Sequence, residues 1–533
     1  MRITRSNQQL VNLDLLNQNS KSLSRLLKVQ FFIQKNEAWF FYIIGLLCFL
    51  PIFQNKIFIA LDMPAHIYNA NLLNHLLFEN KDIVSQYVHI NADLVPNYSG
   101  HVIIVALLKF FTPLNTIKLL LFVYVLVFLI GWRKLLSSIS PQTTRWSFII
   151  LPLIFNQMIF LGFINFLLAI GFGMWSFAIV LNYLKMQKNS ELYKLFFMLI
   201  FLWFSHIAVF VTLVFLIMPI LCINYKKGSL KKYIKLFIIF LPFILITINY
   251  FLQRPAIMIL SYNSGEILNL LISAKALIGL GNLEETYAIS YIFIIYGFTI
   301  FLFSWQLSKN KIKINDLIST VSMILIALVM IFFIPDSDGR GGNMTMRLIL
   351  LFYVLIVVIL CVLLTAFQSI KIILSVYAII LTLVWNIQNQ FQIDPLQTYI
   401  NQVLEAEKHV DPNSIIYVIP KNDHWLFAHA SNYLGMNKPV VISENYECRH
   451  DYFPIRMNNK DFMRIENRYS KESEKSLIQT IINEKLNLPN YVFLYGENTP
   501  ILKAELIRNK DLDSYYNLVH SSNFCYLFKI KKL

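Results

Sequence analysis

Long uninterrupted runs of hydrophobic residues recur between residues 38 and 387, and short polar or basic stretches separate them. Runs of roughly 17–22 residues are long enough to cross a hydrocarbon layer of about 30 Å as α-helices. Because the runs do not alternate with polar residues, they favour helices over the strands of a membrane barrel. The pattern therefore predicts a polytopic α-helical membrane protein with about eleven spans. The predicted spans are Ala38–Gln54, Asn115–Trp132, Trp146–Phe160, Phe163–Leu184, Leu195–Ser205, Ile207–Tyr225, Tyr233–Leu252, Tyr291–Gln306, Leu317–Ile334, Arg347–Phe367 and Ile372–Ile387.

Basic residues indicate how these spans are oriented. Residues 1–37 are polar and basic, and we expect them to form a cytoplasmic segment before the first span. The run His101–Phe111 is about 11 residues long, too short to cross alone, so we place it at the outer interface as a short helix. With that choice every basic loop faces the cytoplasm, and the odd number of crossings puts the C-terminus outside.

The composition changes this picture little. Hydrophobic residues make up 57% of the chain and charged residues 14%, whereas soluble domains average about 25% charged residues. A formal charge of +16 would suggest nucleic-acid binding in a soluble protein, but in a membrane protein it reflects Lys and Arg retained on the cytoplasmic side. We expect a multi-pass protein of the plasma (inner) membrane with no nucleic-acid partner.

From residue 388 to residue 533 the composition is that of a soluble domain. Short buried strands are predicted at Ser414–Ile419, Pro439–Ser443, Tyr491–Tyr495 and Phe524–Ile530, with helical stretches such as Trp425–Leu434 and Lys471–Leu486 between them. We expect a small α/β domain outside the membrane, joined to the last span by a short linker. Cys448 and Cys525 fall in this domain, where an extracytoplasmic location permits a disulfide but does not require one.

The first predicted outer loop, residues 56–114, concentrates polar residues in an otherwise apolar part of the chain. Asp62 stands four residues before His66, so both side chains lie on one face of a helix that begins at Asp62. A partly desolvated carboxylate has a raised pKa and can act as a general base. Since Pro64 and an amphipathic run follow, Asp62 is also a good helix N-cap. The two roles are compatible.

Other polar residues are candidates for contacts with an acceptor or substrate, or are ordinary structural groups. They are Asp93, Asn97, Tyr98 and His101 in the same loop, and His206 at the junction of two predicted spans. A metal site formed by Asp62 with His66, His89 and His101 is conceivable, but this spacing matches no metal motif. Cysteine and histidine spacing gives no metal motif elsewhere either.

Two arginines stand near the last predicted outer loop, where the positive-inside bias makes arginine less expected. Arg340 and Arg347 suit a phosphate group, which a guanidinium binds through two parallel hydrogen bonds. The alternative is a salt bridge to Asp336, Asp338 or a lipid headgroup. The glycines around Arg340 let the backbone turn close to a ligand.

The first loop resembles that of a known enzyme family. Asp62-x-Pro64-x-His66 behind a single span, followed by Pro96-Asn97-Tyr98 before a short helix, is similar to the GT-C fold glycosyltransferases that use polyprenyl-phosphate sugars. The bacterial members of the family-39 type share this layout and commonly carry a soluble outer domain after the last span. Met63 follows Asp62 where the family often has a second acid, so the resemblance does not specify the donor sugar.

The resemblance implies inverting transfer of a sugar from a lipid-linked donor to a glycan, lipid or protein acceptor. Asp62 matches the family's catalytic acid, and Arg340 or Arg347 match its phosphate-binding role by location only. No cofactor is firmly implied, and the need for a divalent metal is left open. The alternatives are a polysaccharide polymerase or ligase of the O-antigen type and, less favoured, a transporter or flippase.

Overall fold

The structure is a computed structural model that describes residues 36–78, 83–223, 225, 230–254, 259, 261–337, 341–458, 476–483 and 487–531. The predicted cytoplasmic segment before Asn36 and the candidate Arg340 lie outside the described residues.

Helices make up most of the described chain. Their bounds are α1 Asn36–Leu47, α2 Leu50–Gln54, α3 Met63–Phe78, α4 Ile83–Tyr87, α5 Ser99–Leu108, α6 Pro113–Ile139, α7 Leu151–Ile154, α8 Gln157–Phe160, α9 Ile164–Met186, α10 Asn189–Ser205, α11 Ile207–Ile223, α12 Leu230–Gln253, α13 Ser264–Ile272, α14 Asn282–Ser308, α15 Ile314–Phe333, α16 Met344–Leu363, α17 Lys371–Glu407, α18 Tyr446–Arg449, α19 Leu477–Asn483, α20 Thr499–Arg508 and α21 Leu512–Tyr515. The helical class expected from the hydrophobic runs is confirmed.

Seven of the described helices are long and apolar enough to cross a membrane: α6, α9, α12, α14, α15, α16 and α17. Each corresponds to one of the predicted spans. The predicted short helix at His101–Phe111 is present as α5. Two further predicted spans, which meet at His206, correspond to the 17-residue helices α10 and α11. Only the extended backbone of His206 separates these two helices.

The prediction of one continuous span at Trp146–Phe160 is wrong. A 3₁₀ helix covers Thr143–Ile150, and the short helices α7 and α8 follow it. Between α7 and α8 the backbone is extended at Phe155 and Asn156, and the Asn156 side chain accepts a hydrogen bond from the Met158 amide at 3.0 Å. An asparagine that caps a new helix start in this way ends the preceding helix.

Helices α6 and α9 approach each other closely at Gly131 and Gly171. A Cβ atom placed on Gly131 would lie 2.2 Å from the carbonyl oxygen of Gly171, so only glycine permits this approach. Small residues at crossing points are how membrane helices bring their backbones together when lipid removes the hydrophobic drive for association.

The C-terminal region contains a mixed five-stranded sheet that includes the four predicted strands. The strands among the described residues are β1 Val88–Ile90, β2 Ser414–Pro420, β3 Val440–Ile442, β4 Ile455–Met457, β5 Tyr491–Tyr495, β6 Tyr516–Ser521 and β7 Cys525–Ile530. The sheet order is β3-β2-β5-β7-β6, with β2 parallel to β3 and β5 and the other pairs antiparallel. Strand β6 was not predicted.

The prediction of a linker after the last span is wrong, because the 37-residue helix α17 begins at Lys371 and continues through Gln388 to Glu407. The composition changes there because the helix moves from one set of neighbours to another. Its later residues Ile393, Ile400 and Val403 are buried, and this part of α17 packs against β7 and the 3₁₀ turn Ala430–Gly435. A single helix therefore carries the chain from the bundle into the sheet region.

The C-terminal region is joined to the first loop by hydrogen bonds as well as by α17. Strand β1 of the loop pairs antiparallel with β4. The Tyr68 hydroxyl on α3 donates to the Val440 carbonyl at 2.8 Å and accepts from the Ile442 amide at 3.1 Å. These contacts fix α3 against the edge strand β3.

The two cysteines of the C-terminal region do not pair with each other. Cys448 and Cys525 are buried free thiols. Cys448 contacts Asn69 and Asn445, whereas Cys525 contacts Ser522.

Candidate functional site

A cleft of about 510 Å³ opens where the first loop, the helical bundle and the C-terminal region meet. Its walls come from the residues before α3, the first turns of α9, α11 and α16, and the segment around α18. Most of the lining is apolar, with Phe, Ile, Met and Leu side chains. A small number of polar groups reach into it, among them Asp62, His66, His206, Arg347 and Tyr446. A mostly apolar cleft with convergent polar groups is the usual form of a ligand site.

Asp62 immediately precedes α3, and its carbonyl accepts the first-turn bond from the His66 amide at 3.0 Å. This is the N-cap position that the sequence predicts. The Asp62 amide in turn donates to the Leu161 carbonyl at 3.2 Å. Gly162 follows with φ of +76°, and a Cβ atom there would lie 2.9 Å from the Asp62 nitrogen. The turn at Gly162 therefore presses against the backbone that carries the candidate base.

Four residues form what we call the open cluster: Asp62, His429, Glu444 and Tyr446. His429 Nε2 lies 3.7 Å from an Asp62 carboxylate oxygen, and His429 Nδ1 lies 2.6 Å from Glu444. Ser431 and Asn432 donate to the other Glu444 oxygen at 2.7 and 2.6 Å. The ring of Tyr446 stacks on His429 with centroids 4.2 Å apart. Glu444 thus orients His429 toward Asp62.

Burial raises the pKa of Asp62 above the usual aspartate range, and His429, His66 and the Tyr446 hydroxyl oppose that rise without cancelling it. Burial lowers the pKa of His429, but the carboxylates of Glu444 and Asp62 outweigh burial and leave it raised. A carboxylate with a raised pKa beside an imidazole can accept a proton from a ligand hydroxyl at neutral pH.

Three other residues form what we call the closed cluster: His66, His101 and Glu447. His101 Nε2 lies 2.8 Å from one Glu447 oxygen, and His66 Nδ1 contacts the other. The imidazole rings meet edge to face, with centroids 5.2 Å apart. Although burial raises the pKa of Glu447, the two imidazoles lower it to about 2. Burial lowers the pKa of His66, and Glu447 raises it by more.

Arg347 extends from the first turn of α16 into the cleft. One of its terminal nitrogens donates to His206 Nε2 at 3.0 Å, and its guanidinium stacks over the Phe163 ring with its carbon 4.1 Å from the ring centroid. Since arginine stays protonated, His206 accepts with Nε2 and is the neutral tautomer protonated at Nδ1. Within the part of the chain that the structure describes, Arg347 Nε is buried without a hydrogen-bond partner.

Asp336, one of the alternative ion-pair partners for Arg347, has another role. Its carboxylate accepts from the Thr345 amide at 3.0 Å and so caps the start of α16. The Arg347 guanidinium lines the cleft, where it can pair with an anionic group of a ligand.

The structure brings some of the sequence candidates together and separates others. Asn97 lines the cleft beside Asp62, His66, His206 and Arg347. His101 lies behind it, bound to Glu447. The Tyr98 hydroxyl donates to the Asn91 carbonyl at 2.7 Å.

Asp93 and His89 do not line the cleft. Asp93 pairs with Arg254 and Arg456, each at 3.0 Å, and nearly half of its side chain is exposed. His89 is exposed on β1, where it stands opposite Arg456 in the β1–β4 pair. The second acid and the third histidine that the sequence suggests for this loop therefore belong to the surface of the C-terminal junction.

Sequence reasoning missed the residues that complete both clusters. His429, Glu444, Tyr446 and Glu447 all come from the C-terminal region, where the sequence analysis predicts no site residue. The only local signal is the run of polar and charged residues Ser443-Glu444-Asn445-Tyr446-Glu447 directly after the buried strand β3. Such a run also fits an ordinary loop, so its partners become visible only in three dimensions.

No protein-family model matches this chain, and a search of curated proteins found no significant match. The arrangement of the cleft is therefore interpreted from its own geometry.

Proposed function

We propose that this protein is an integral membrane glycosyltransferase that moves a sugar from a polyprenyl-phosphate donor to an acceptor hydroxyl with inversion. The observation that carries the proposal is the cleft itself, which combines the buried carboxylate of Asp62, the guanidinium of Arg347 and apolar walls. A lipid-linked sugar presents an anionic phosphate between a hydrophobic chain and a polar sugar. The apolar walls suit the hydrophobic chain, Arg347 suits the phosphate, and Asp62 lies where a polar sugar or acceptor hydroxyl can reach a base.

In the proposed reaction Asp62 takes the proton from the acceptor hydroxyl while the acceptor oxygen attacks the anomeric carbon. The bond from that carbon to the phosphate oxygen breaks, and polyprenyl phosphate leaves with the bonding electrons. Arg347 stabilises the negative charge that develops on the leaving phosphate. The hydrogen bond from Arg347 to His206 supports this role, because it holds the guanidinium in place at the cleft.

We further propose that the cleft faces the extracytoplasmic side. Helix α9 runs for about 35 Å from Ile164 beside the cleft to its last turn at Lys185. There a second cavity of about 990 Å³ is lined by Lys185, Lys232, Lys311 and Lys313. Lysines gathered at the end of the bundle away from the cleft fit the positive-inside bias.

The test is transfer of label from radiolabelled polyprenyl-phosphate sugars in membranes that contain the protein. We expect wild type to move label to an endogenous acceptor and Asp62→Asn to lose activity by about a hundred- to ten-thousand-fold. Asp513→Asn, an exposed aspartate of α21, is the control for the same chemical change. A near-normal rate for Asp62→Asn at equal protein level would remove Asp62 from the reaction.

Arg347 is tested in the same assay with two substitutions. Arg347→Gln removes the charge, and we expect kcat to fall by about a hundred- to a thousand-fold. Arg347→Lys keeps the charge but not the planar pair of donors, so its rate should lie between that of wild type and that of Arg347→Gln. If both variants matched wild type, the anion would not bind here. Movement of intact donor across the membrane without transfer would instead support a transporter.

A further inference from the structure

The closed cluster has the composition of a metal site. One nitrogen of His66, one nitrogen of His101 and one oxygen of Glu447 all lie within 4.8 Å of one another, and all three residues are buried. Two imidazole nitrogens with one carboxylate oxygen are a ligand set that zinc enzymes use. Among the described residues, this is the group of histidine, cysteine, aspartate or glutamate side chains in which three ligand atoms lie this close together.

Backbone hydrogen bonds fix which nitrogen of each histidine is available. His66 Nε2 lies 3.0 Å from the Gly162 carbonyl, and His101 Nδ1 lies 3.2 Å from the Asn97 carbonyl. A carbonyl oxygen only accepts, so both of these nitrogens carry a hydrogen. The other nitrogen of each ring faces Glu447. Metal-binding histidines are held in this way, by a second hydrogen bond on the far side of the ring.

The charges of the cluster then call for a cation. In neutral imidazoles the nitrogens that face Glu447 carry lone pairs, and these lone pairs would point at carboxylate oxygens. Either two protons or one divalent cation resolves the repulsion, and both leave the three groups with one net positive charge. The nearby carboxylate of Asp62 balances that charge.

We propose that His66, His101 and Glu447 bind one divalent transition-metal ion of the zinc type. The imidazole nitrogens disfavour Mg²⁺ and Ca²⁺, which prefer oxygen ligands. Ligand atoms around tetrahedral zinc stand about 3.3 Å apart at bond lengths of about 2.0–2.1 Å, so the groups need to separate only slightly from their present contacts. The inference does not depend on the proposed sugar transfer.

The site would act as a clamp between three segments that are distant in sequence. His66 lies on α3, His101 on α5 and Glu447 on α18. One ion would hold both helices of the first loop against the C-terminal region and fix the turn that carries Asp62. His66 is the ligand that also lines the cleft, so the remaining coordination position would lie on that side.

The experiment measures metal directly on the full-length protein purified in detergent without chelators. We expect about one zinc ion per chain by elemental mass spectrometry. After stripping with a chelator, addition of Zn²⁺ should raise the melting temperature by several degrees, whereas Mg²⁺ should not. Co²⁺ added to stripped wild type should give the intense visible absorption of a tetrahedral site, and Zn²⁺ should abolish that absorption.

Two variants show whether the metal is held by these residues. Glu447→Gln should lose the bound zinc and the cobalt spectrum, whereas Glu444→Gln should keep both, because Glu444 contacts only one histidine. If Glu447→Gln does not fold, the cobalt spectrum of wild type still shows whether the protein binds a metal in a tetrahedral site. The proposal would be overturned by protein that retains no metal, takes up no Co²⁺ and is not stabilised by Zn²⁺, whatever the transfer assay gives. In that case protons on His66 and His101, not a metal ion, hold Glu447 in place.

Discussion

The open and closed clusters each contain one residue at the start of α3, Asp62 or His66, and use the same residue types in different surroundings. In the open cluster, 12% of the Asp62 side chain and 18% of the His429 side chain are exposed, and Asp62 lines the cleft. In the closed cluster, the figures are 1% for His101 and 0% for Glu447. Groups with access to a ligand can exchange protons with it, whereas groups without access can only hold structure or an ion.

The comparison teaches that the two clusters divide two tasks. The closed cluster ties the first loop to the C-terminal region through contacts that solvent does not reach. The open cluster presents a carboxylate with a raised pKa to the cleft. Gly162 links them, because its carbonyl accepts from His66 Nε2 and its Cα packs against the Asp62 backbone.

Removing one carboxylate from each cluster should give the largest difference. Glu447→Gln removes the buried carboxylate that His66 and His101 both contact and should lower the free energy of unfolding by about 3–5 kcal/mol. Glu444→Gln leaves a partly exposed histidine and should cost clearly less, since solvent screens the loss. Thermal unfolding in detergent compares the two variants. Equal losses would mean that the two clusters contribute alike to stability.

Gly162→Ala should affect both clusters at once, with a smaller effect. A left-handed backbone costs a non-glycine residue roughly 1–2 kcal/mol, and the new methyl group would displace the Asp62 backbone. We expect a modest fall in melting temperature and a larger proportional fall in transfer rate. Gly297→Ala is the control, because a Cβ atom there meets nothing within 4 Å. Unchanged activity would show that the position of Asp62 is not set by this turn.

The pH dependence of transfer should report on the open cluster and give the smallest effect. Asp62 acts as a base only when ionised, so kcat/KM should fall as pH drops through its raised pKa, above the usual value near 4. The Tyr446 hydroxyl lowers the pKa of Asp62. Tyr446→Phe should therefore move the acid limb to higher pH, by on the order of one unit or less. A limb that does not move would separate Tyr446 from the base.

The sequence predicts those parts of the fold that depend on local pattern. The strand Tyr491–Tyr495 was predicted with its observed bounds, since a short apolar run between turn residues has few other solutions. Asp62 was placed correctly before a helix for the same reason. The failed span at Trp146–Phe160 shows the limit, because the segment is mostly hydrophobic and the capping side chain of Asn156 marks where the helix breaks.

The candidate site was predictable only where its residues are close in sequence. Asp62 and His66 were recognised from their spacing of four. Glu447 and His429 could not be recognised, because nothing in the composition of the C-terminal region says which loop it packs against. The linker failed in the same way: the loss of hydrophobicity after residue 387 records a change of neighbours, and α17 continues through it.

The contact between His101 and Glu447 joins residues that are 346 positions apart, and this separation has a consequence for biosynthesis. At elongation rates of about 5–20 residues per second, roughly 20–70 s pass between synthesis of the two residues. During that time the first loop is already made while its partner strands and α18 are still missing. Both clusters can close only after the ribosome has passed the last candidate span, so a prematurely terminated chain would insert in the membrane without an assembled cleft.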